Sequence, residues 1–175
     1  MRKALVCIAL LSLAMPSAVA DPRGPSTPEE RKRALDVIEK LEQSPMDPAL
    51  KRDREWVFQW IKEVPDVHAN MCSAIVGPLL NEKNTDARKA FTLQNILASA
   101  AFRMQHPEDK DSVKIYLAGT QGMLRAYENV TRQDPTKKSP FLEQLKSKEQ
   151  IGQLEDYVRR GARQCSKHPA TTLAP

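Results

Sequence analysis

Proline stands directly behind a capping residue at three points of this chain, and each time an apolar run of helical period follows. Thr27-Pro28-Glu29-Glu30 is a capping box. The threonine oxygen accepts an N–H of the first turn, Glu30 reaches back, and Pro28 sits where its missing N–H costs nothing. Asp47-Pro48 and Ser139-Pro140 repeat the signal. A chain punctuated in this way is committed to helices, because proline fixes φ near the helical value and cannot continue a sheet ladder.

The apolar residues agree. Ala34, Leu35, Ile38 and Leu41 share one face of a helix running to about Glu42, and Leu50, Val57, Trp60, Ile61 and Val64 share a broader face of the next. Pro65 ends that helix. Residues 66–76 read as a shorter one with Val67, Met71, Ala74 and Ile75 inward, stopped by Gly77-Pro78. From Thr85 to Gln105 the apolar residues leave only a narrow polar wedge at Thr92, Asn95, Ser99 and Arg103, so this is the expected central helix. Ser112 to Arg132 carries a single stripe from Val113 to Val130. Its Gly119 and Gly122 each cost about 1 kcal/mol of helix propensity, which close approach to the Ala-rich central helix would explain.

After Ser139-Pro140 the apolar phase changes. Phe141, Leu142 and Leu145 fall on one side of a projected helix; Ile151, Leu154, Val158, Ala162 and Cys165 fall mostly on another. A break is predicted near residues 146–150. No strand-like alternation and no repeat of fixed period appears. The expected fold is all-α, an irregular bundle of five to seven helices.

Arg2 and Lys3, the apolar run Ala4 to Met15, and Ala18-Val19-Ala20 have the order of a secretory leader cut before Asp21, too short to span a bilayer. The organisation read from this is a signal peptide over residues 1–20, one helical domain over 21–168 and a disordered tail over 169–175. Cys7 leaves with the leader. The A-x-A end suits a bacterial, periplasmic address. No other apolar segment is long enough for a membrane. The formal net charge of +5 includes the two leader cations. What remains is spread over helices of mixed sign, with no basic stripe interleaved with aromatics, so nucleic acid is not an expected partner.

Export makes Cys72 and Cys165 an expected disulfide, since an even pair in an oxidising compartment is usually bridged. An alternative uses the histidines beside them. If residues 66–76 are helical, His68 and Cys72 lie on adjacent turns, and with Cys165 and His168 they compose a Cys2His2 set that zinc accepts. Met71 would suit a softer metal. A bridged pair and a thiolate site exclude one another.

Catalytic signatures are missing. No nucleophile elbow, S-x-x-K or H-E-x-x-H context fits, no haem attachment motif or calcium loop is present, and no cofactor is expected. His106 reads as a helix terminus, and Glu108, Asp109 and Asp111 as the acidic approach to the next helix. Asn129-Val130-Thr131 satisfies the glycosylation rule but lies within a helix. Trp56, Phe58 and Trp60 form the densest aromatic cluster. The ordinary reading is a core anchor; Trp56 and Phe58, at the edges of their stripe, are also the candidate lining of a groove for a protein partner or apolar ligand. The favoured function is an exported binding protein without catalysis. A cell-envelope hydrolase using unmarked carboxylates and a metal-handling protein are the alternatives.

Overall fold

The structure is a computed structural model that describes residues 23–69 and 71–167. The expected leader and tail lie outside them, as does His168. The described residues form seven α-helices and no strand: α1 (Pro28–Gln43), α2 (Lys51–Glu63), α3 (Ser73–Leu80), α4 (Thr85–Gln105), α5 (Ser112–Gln133), α6 (Pro140–Gln150) and α7 (Leu154–Lys167), with 3₁₀ turns at Pro48–Leu50 and Pro135–Lys137. No described helix is long and apolar enough to cross a membrane.

The starts of α1, α4, α5 and α6 are those their caps prescribe, whereas Asp47-Pro48 opens the 3₁₀ turn that leads into α2. The Glu30 N–H donates to Thr27 Oγ1 and the Thr27 N–H to Glu30 Oε2, closing the box at the head of α1. Asn84, Asp111 and Ser139 accept first-turn amides at the heads of α4, α5 and α6. Each such cap stabilises its helix by about 1 kcal/mol.

The bundle is organised about α4 and α5, which pack closely along their lengths. The two glycines permit it. A Cβ at Gly119 would lie 2.2 Å from Ser99 Oγ, and one at Gly122 would lie 2.3 Å from Ala98 Cβ. The middle of the polar wedge of α4 therefore does not face water. Asn95 and Ser99 are buried against α5, and the Ser99 hydroxyl donates to the Asn95 and Ile115 carbonyls.

Two apolar clusters flank this pair. One joins α3, the start of α4, α5, α6 and α7 through Ile75, Phe91, Met123, Leu142 and Val158. The other joins α1, α2 and the later part of α4 through Ala34, Leu41, Val57, Trp60, Leu97 and Met104. Cys72 and Cys165 are bonded, with Cα atoms 5.8 Å apart. Their bond ties the head of α3 to α7. Tyr157 adds a hydrogen bond to the Ile75 carbonyl at 2.8 Å.

Three expectations need correction. Residues 66–69, 71 and 72 are not helical, and α3 instead begins at Ser73 and runs through Gly77-Pro78 to Leu80. The Asp66 carboxylate is drawn to Ser26 and Arg31, while Val67 and Ala69 are drawn into the second cluster, and a helix would not serve both. Leu79, fully buried, carries α3 past its proline, whose fixed φ is compatible with the helix at the loss of one hydrogen bond. The break predicted near residues 146–150 is present, directly after Gln150 and before Leu154. Gly152, at φ 71°, closes α6 with the Gln153 N–H bonded to the Lys148 carbonyl and the Gly152 N–H to that of Glu149. That is the glycine termination a left-handed residue allows. Ile151, assigned to the buried face, is consequently 66 % exposed in this turn.

Candidate functional site

The aromatic cluster on α2 is divided among three environments. Trp60 is a core residue, 3 % exposed. Trp56 stacks on it with ring centroids 5.9 Å apart, and the Arg33 guanidinium covers Trp56 at 3.8 Å, so the outer tryptophan is sealed by α1. Phe58 points elsewhere. With Leu93 and Ile96 of α4 and Leu80 at the end of α3, it lines a groove of about 570 Å³.

The groove exists because α2 lies along α1 while α4 lies along α5, leaving a trough between α2 and α4. Its lining is largely apolar. Arg54, Arg88 and Lys89 stand around it against the one carboxylate of Glu55. Both arginines are braced: Arg54 donates to the Pro45 carbonyl at 2.8 Å and Arg88 to that of Leu80 at 2.8 Å. Thr92, the first residue of the polar wedge, lines the groove with its hydroxyl buried and without a hydrogen-bond partner among the described residues. A cleft of this volume, apolar with a few placed polar groups, has the ordinary make-up of a ligand site.

The densest group of hydroxyls and carboxylates has a different employment. Glu82 accepts from the Ser139 hydroxyl at 2.6 Å and from the Phe141 N–H at 3.3 Å, and Tyr127 donates to Glu143 while accepting from the Ser139 N–H. Burial, then the Glu143 carboxylate, push the Tyr127 hydroxyl far above its usual titration range. These groups fasten the head of α6 to the bundle.

The remaining sequence candidates are placed as follows. Cys72 and Cys165 are bridged, so neither is a thiolate; His68 is exposed in the segment before α3. Among the described residues no three His, Cys, Asp or Glu side chains are grouped to hold a metal. His106 caps the end of α4, its N–H on the Phe102 carbonyl at 2.8 Å, and Asp111 caps α5. Asn129 spends its amide on the Glu42 carbonyl at 3.1 Å.

Sequence reasoning found Phe58 but missed its neighbours in the groove. Leu80 lies beyond the stop expected at Gly77-Pro78, and Leu93 and Ile96 belong to the broad apolar surface of α4. Their local signal was the breadth of that surface, wider than a single packing partner needs. Comparison of the chain with known protein families, with curated proteins and with solved structures finds no match.

Proposed function

We propose that this chain is an exported, non-enzymatic binding protein whose groove between α2 and α4 holds an anionic amphiphile, a molecule with one acyl tail and one acidic head. The observation that carries this reading is the pairing of apolar floor and cationic rim: Phe58, Leu80, Leu93 and Ile96 below, Arg54, Arg88 and Lys89 around them. An acyl tail on that floor removes apolar surface from water on both sides, worth about 25 cal/mol per Å². The acidic head then meets three cations and one carboxylate. Export is supported by the leader pattern at the N-terminus and by the bridged cysteines, which persist in oxidising compartments.

The test is displacement of a fluorescent fatty acid from the purified chain by dodecanoate, with its methyl ester as the uncharged control. The free acid should displace the probe and the ester should do so about tenfold less well, a difference of about 1.4 kcal/mol. Phe58→Asp should abolish displacement without unfolding the protein, since Phe58 is only half-buried. Lys89→Glu, at an exposed position, should weaken it several-fold. Mass spectrometry should return the dodecanoate unchanged. Equal displacement by acid and ester, full binding by Phe58→Asp, or turnover of the ligand would each overturn the reading. Capture of an acidic helical peptide in place of dodecanoate would assign the groove to a protein partner.

A further inference from the structure

The other end of the α4 polar wedge is Arg103, and its surroundings are unlike those of the groove. It lines a small polar cavity of about 180 Å³ bounded by α1, the segment after α2, the end of α4 and the turn leading to α5. His68 and His106, distant in sequence, both line it. His106 is held there by its ring, which packs at 4.7 Å from that of Phe102.

The charges facing this cavity do not cancel. Two carboxylates line it, and each is already engaged. Asp66 accepts from the Ser26 N–H at 2.9 Å, the Ser26 hydroxyl at 2.8 Å and Arg31 at 2.6 Å. Burial pushes its carboxyl up, but these donors outweigh burial and hold it at about 2. Asp109 accepts from Lys114 and from the Asp111 N–H, which together hold its carboxyl below the usual range. With Arg31 and Lys114 thus matched, Arg103 and Lys110 remain as uncompensated cations beside two imidazoles. Lys110 spends one donor on the Pro107 carbonyl at 2.6 Å. Arg103 has no carboxylate partner among the described residues, and its Nε is buried without any acceptor. A guanidinium without a carboxylate favours an anionic acceptor entering the cavity that it lines.

We infer that the cavity of Arg103, His68 and His106 is a binding site for a small tetrahedral oxyanion, phosphate or sulfate, free or as the end group of a small ester. The cavity has room for such a group. A guanidinium fork matches two oxygens of a tetrahedral anion, and imidazoles donate to the others when protonated. The fixed charges around the imidazoles are Arg31 from α1, Asp66 beside His68, Arg103 from α4, and Asp109 with Lys110 and Lys114 beyond His106. This site is separate from the groove and does not depend on its occupant.

The experiment is a titration of the whole chain with sodium sulfate, followed through the Arg103 Nε–H and the two imidazole signals by NMR, with sodium chloride added to constant ionic strength. The three signals should shift together and saturate at millimolar sulfate. Inorganic phosphate and glycerol phosphate form the second and third arms; tighter binding of the ester would assign the end-group form, and equal binding the free anion. Arg103→Gln should abolish saturation. His68→Gln, at an exposed position, should weaken sulfate several-fold. Linear shifts without saturation, shifts spread over the surface cations, or an unaltered response in both variants would overturn the inference.

Discussion

The two apolar clusters are held by different means. The one built on α3, α5, α6 and α7 is closed by a covalent bond between Cys72 and Cys165, and by polar groups out of water at the head of α6. The one built on α1, α2 and the later part of α4 is closed at its surface by ion pairs, Arg23 with Glu30 and Glu63, Arg31 with Asp66. Partly exposed pairs contribute little each, typically below about 1 kcal/mol, whereas a disulfide closing a long loop contributes several. Both cavities border the second cluster: the groove through Leu93 and Ile96, the polar cavity through Val67 and Met104. The covalently closed half serves as the scaffold, and the half held by weaker contacts carries most of the surface a ligand would meet, with Leu80 of α3 completing the groove. That division matches the general placement of binding elements at the less stable end of a structure.

The largest effect should come from unlinking the scaffold. Cys72→Ala with Cys165→Ala frees a bond spanning 93 residues, and should lower stability by about 2 to 5 kcal/mol in denaturant titration. A loss below about 1 kcal/mol would place the two halves on equal footing. Next comes the α4–α5 contact on which both halves lean. Gly119→Ala forces a Cβ against Ser99 Oγ and to 2.7 Å from the Asn95 carbonyl, and should cost about 1 to 3 kcal/mol by overpacking. Gly77→Ala, where the new atom meets nothing within 4 Å, should instead gain up to about 1 kcal/mol from helix propensity. Opposite signs for two glycine-to-alanine changes would locate the close approach; equal signs would deny it.

Smaller effects should mark the ion-paired half. Arg125 reaches from α5 to Glu42 of α1 with two hydrogen bonds, at 2.6 and 2.8 Å. Glu42→Gln should cost about 0.5 to 1 kcal/mol at low ionic strength and less in high salt. Asp66→Asn should show its loss through pH. The folded carboxyl sits at about 2 against an ordinary 3.8, so its contribution is complete above the ordinary value and disappears as pH falls toward the lower one. Wild type and variant should therefore differ in thermal midpoint at neutral pH and converge as the solution approaches pH 2. A constant difference down to that point would separate Asp66 from the stability of its segment.

Which features the sequence discloses follows from how local their causes are. Caps, prolines and apolar stripes act within a few residues, and the all-α fold, the central helix and the glycine contact of α5 were readable from them. The conformation at Asp66 was not, because it answers to Ser26 and Arg31, about forty positions away in sequence. The groove was half readable. Phe58 at the edge of its stripe signals an aromatic not fully used by the core, but the trough beside it depends on α2 following α1 rather than α4. His68 and His106 carry no common signal at all; the fold alone brings them to one cavity. The polar wedge of α4 came closest to marking both places, since Thr92 lines one and Arg103 the other.

The most direct test of the binding role is a methyl and aromatic NMR spectrum of the chain with and without dodecanoate below its micelle concentration. The account predicts saturable shifts of Phe58, Leu80, Leu93 and Ile96, with Ile75, Leu142 and Val158 of the covalently closed cluster unmoved. Saturable shifts confined to that cluster, or no shifts at millimolar ligand, would contradict it.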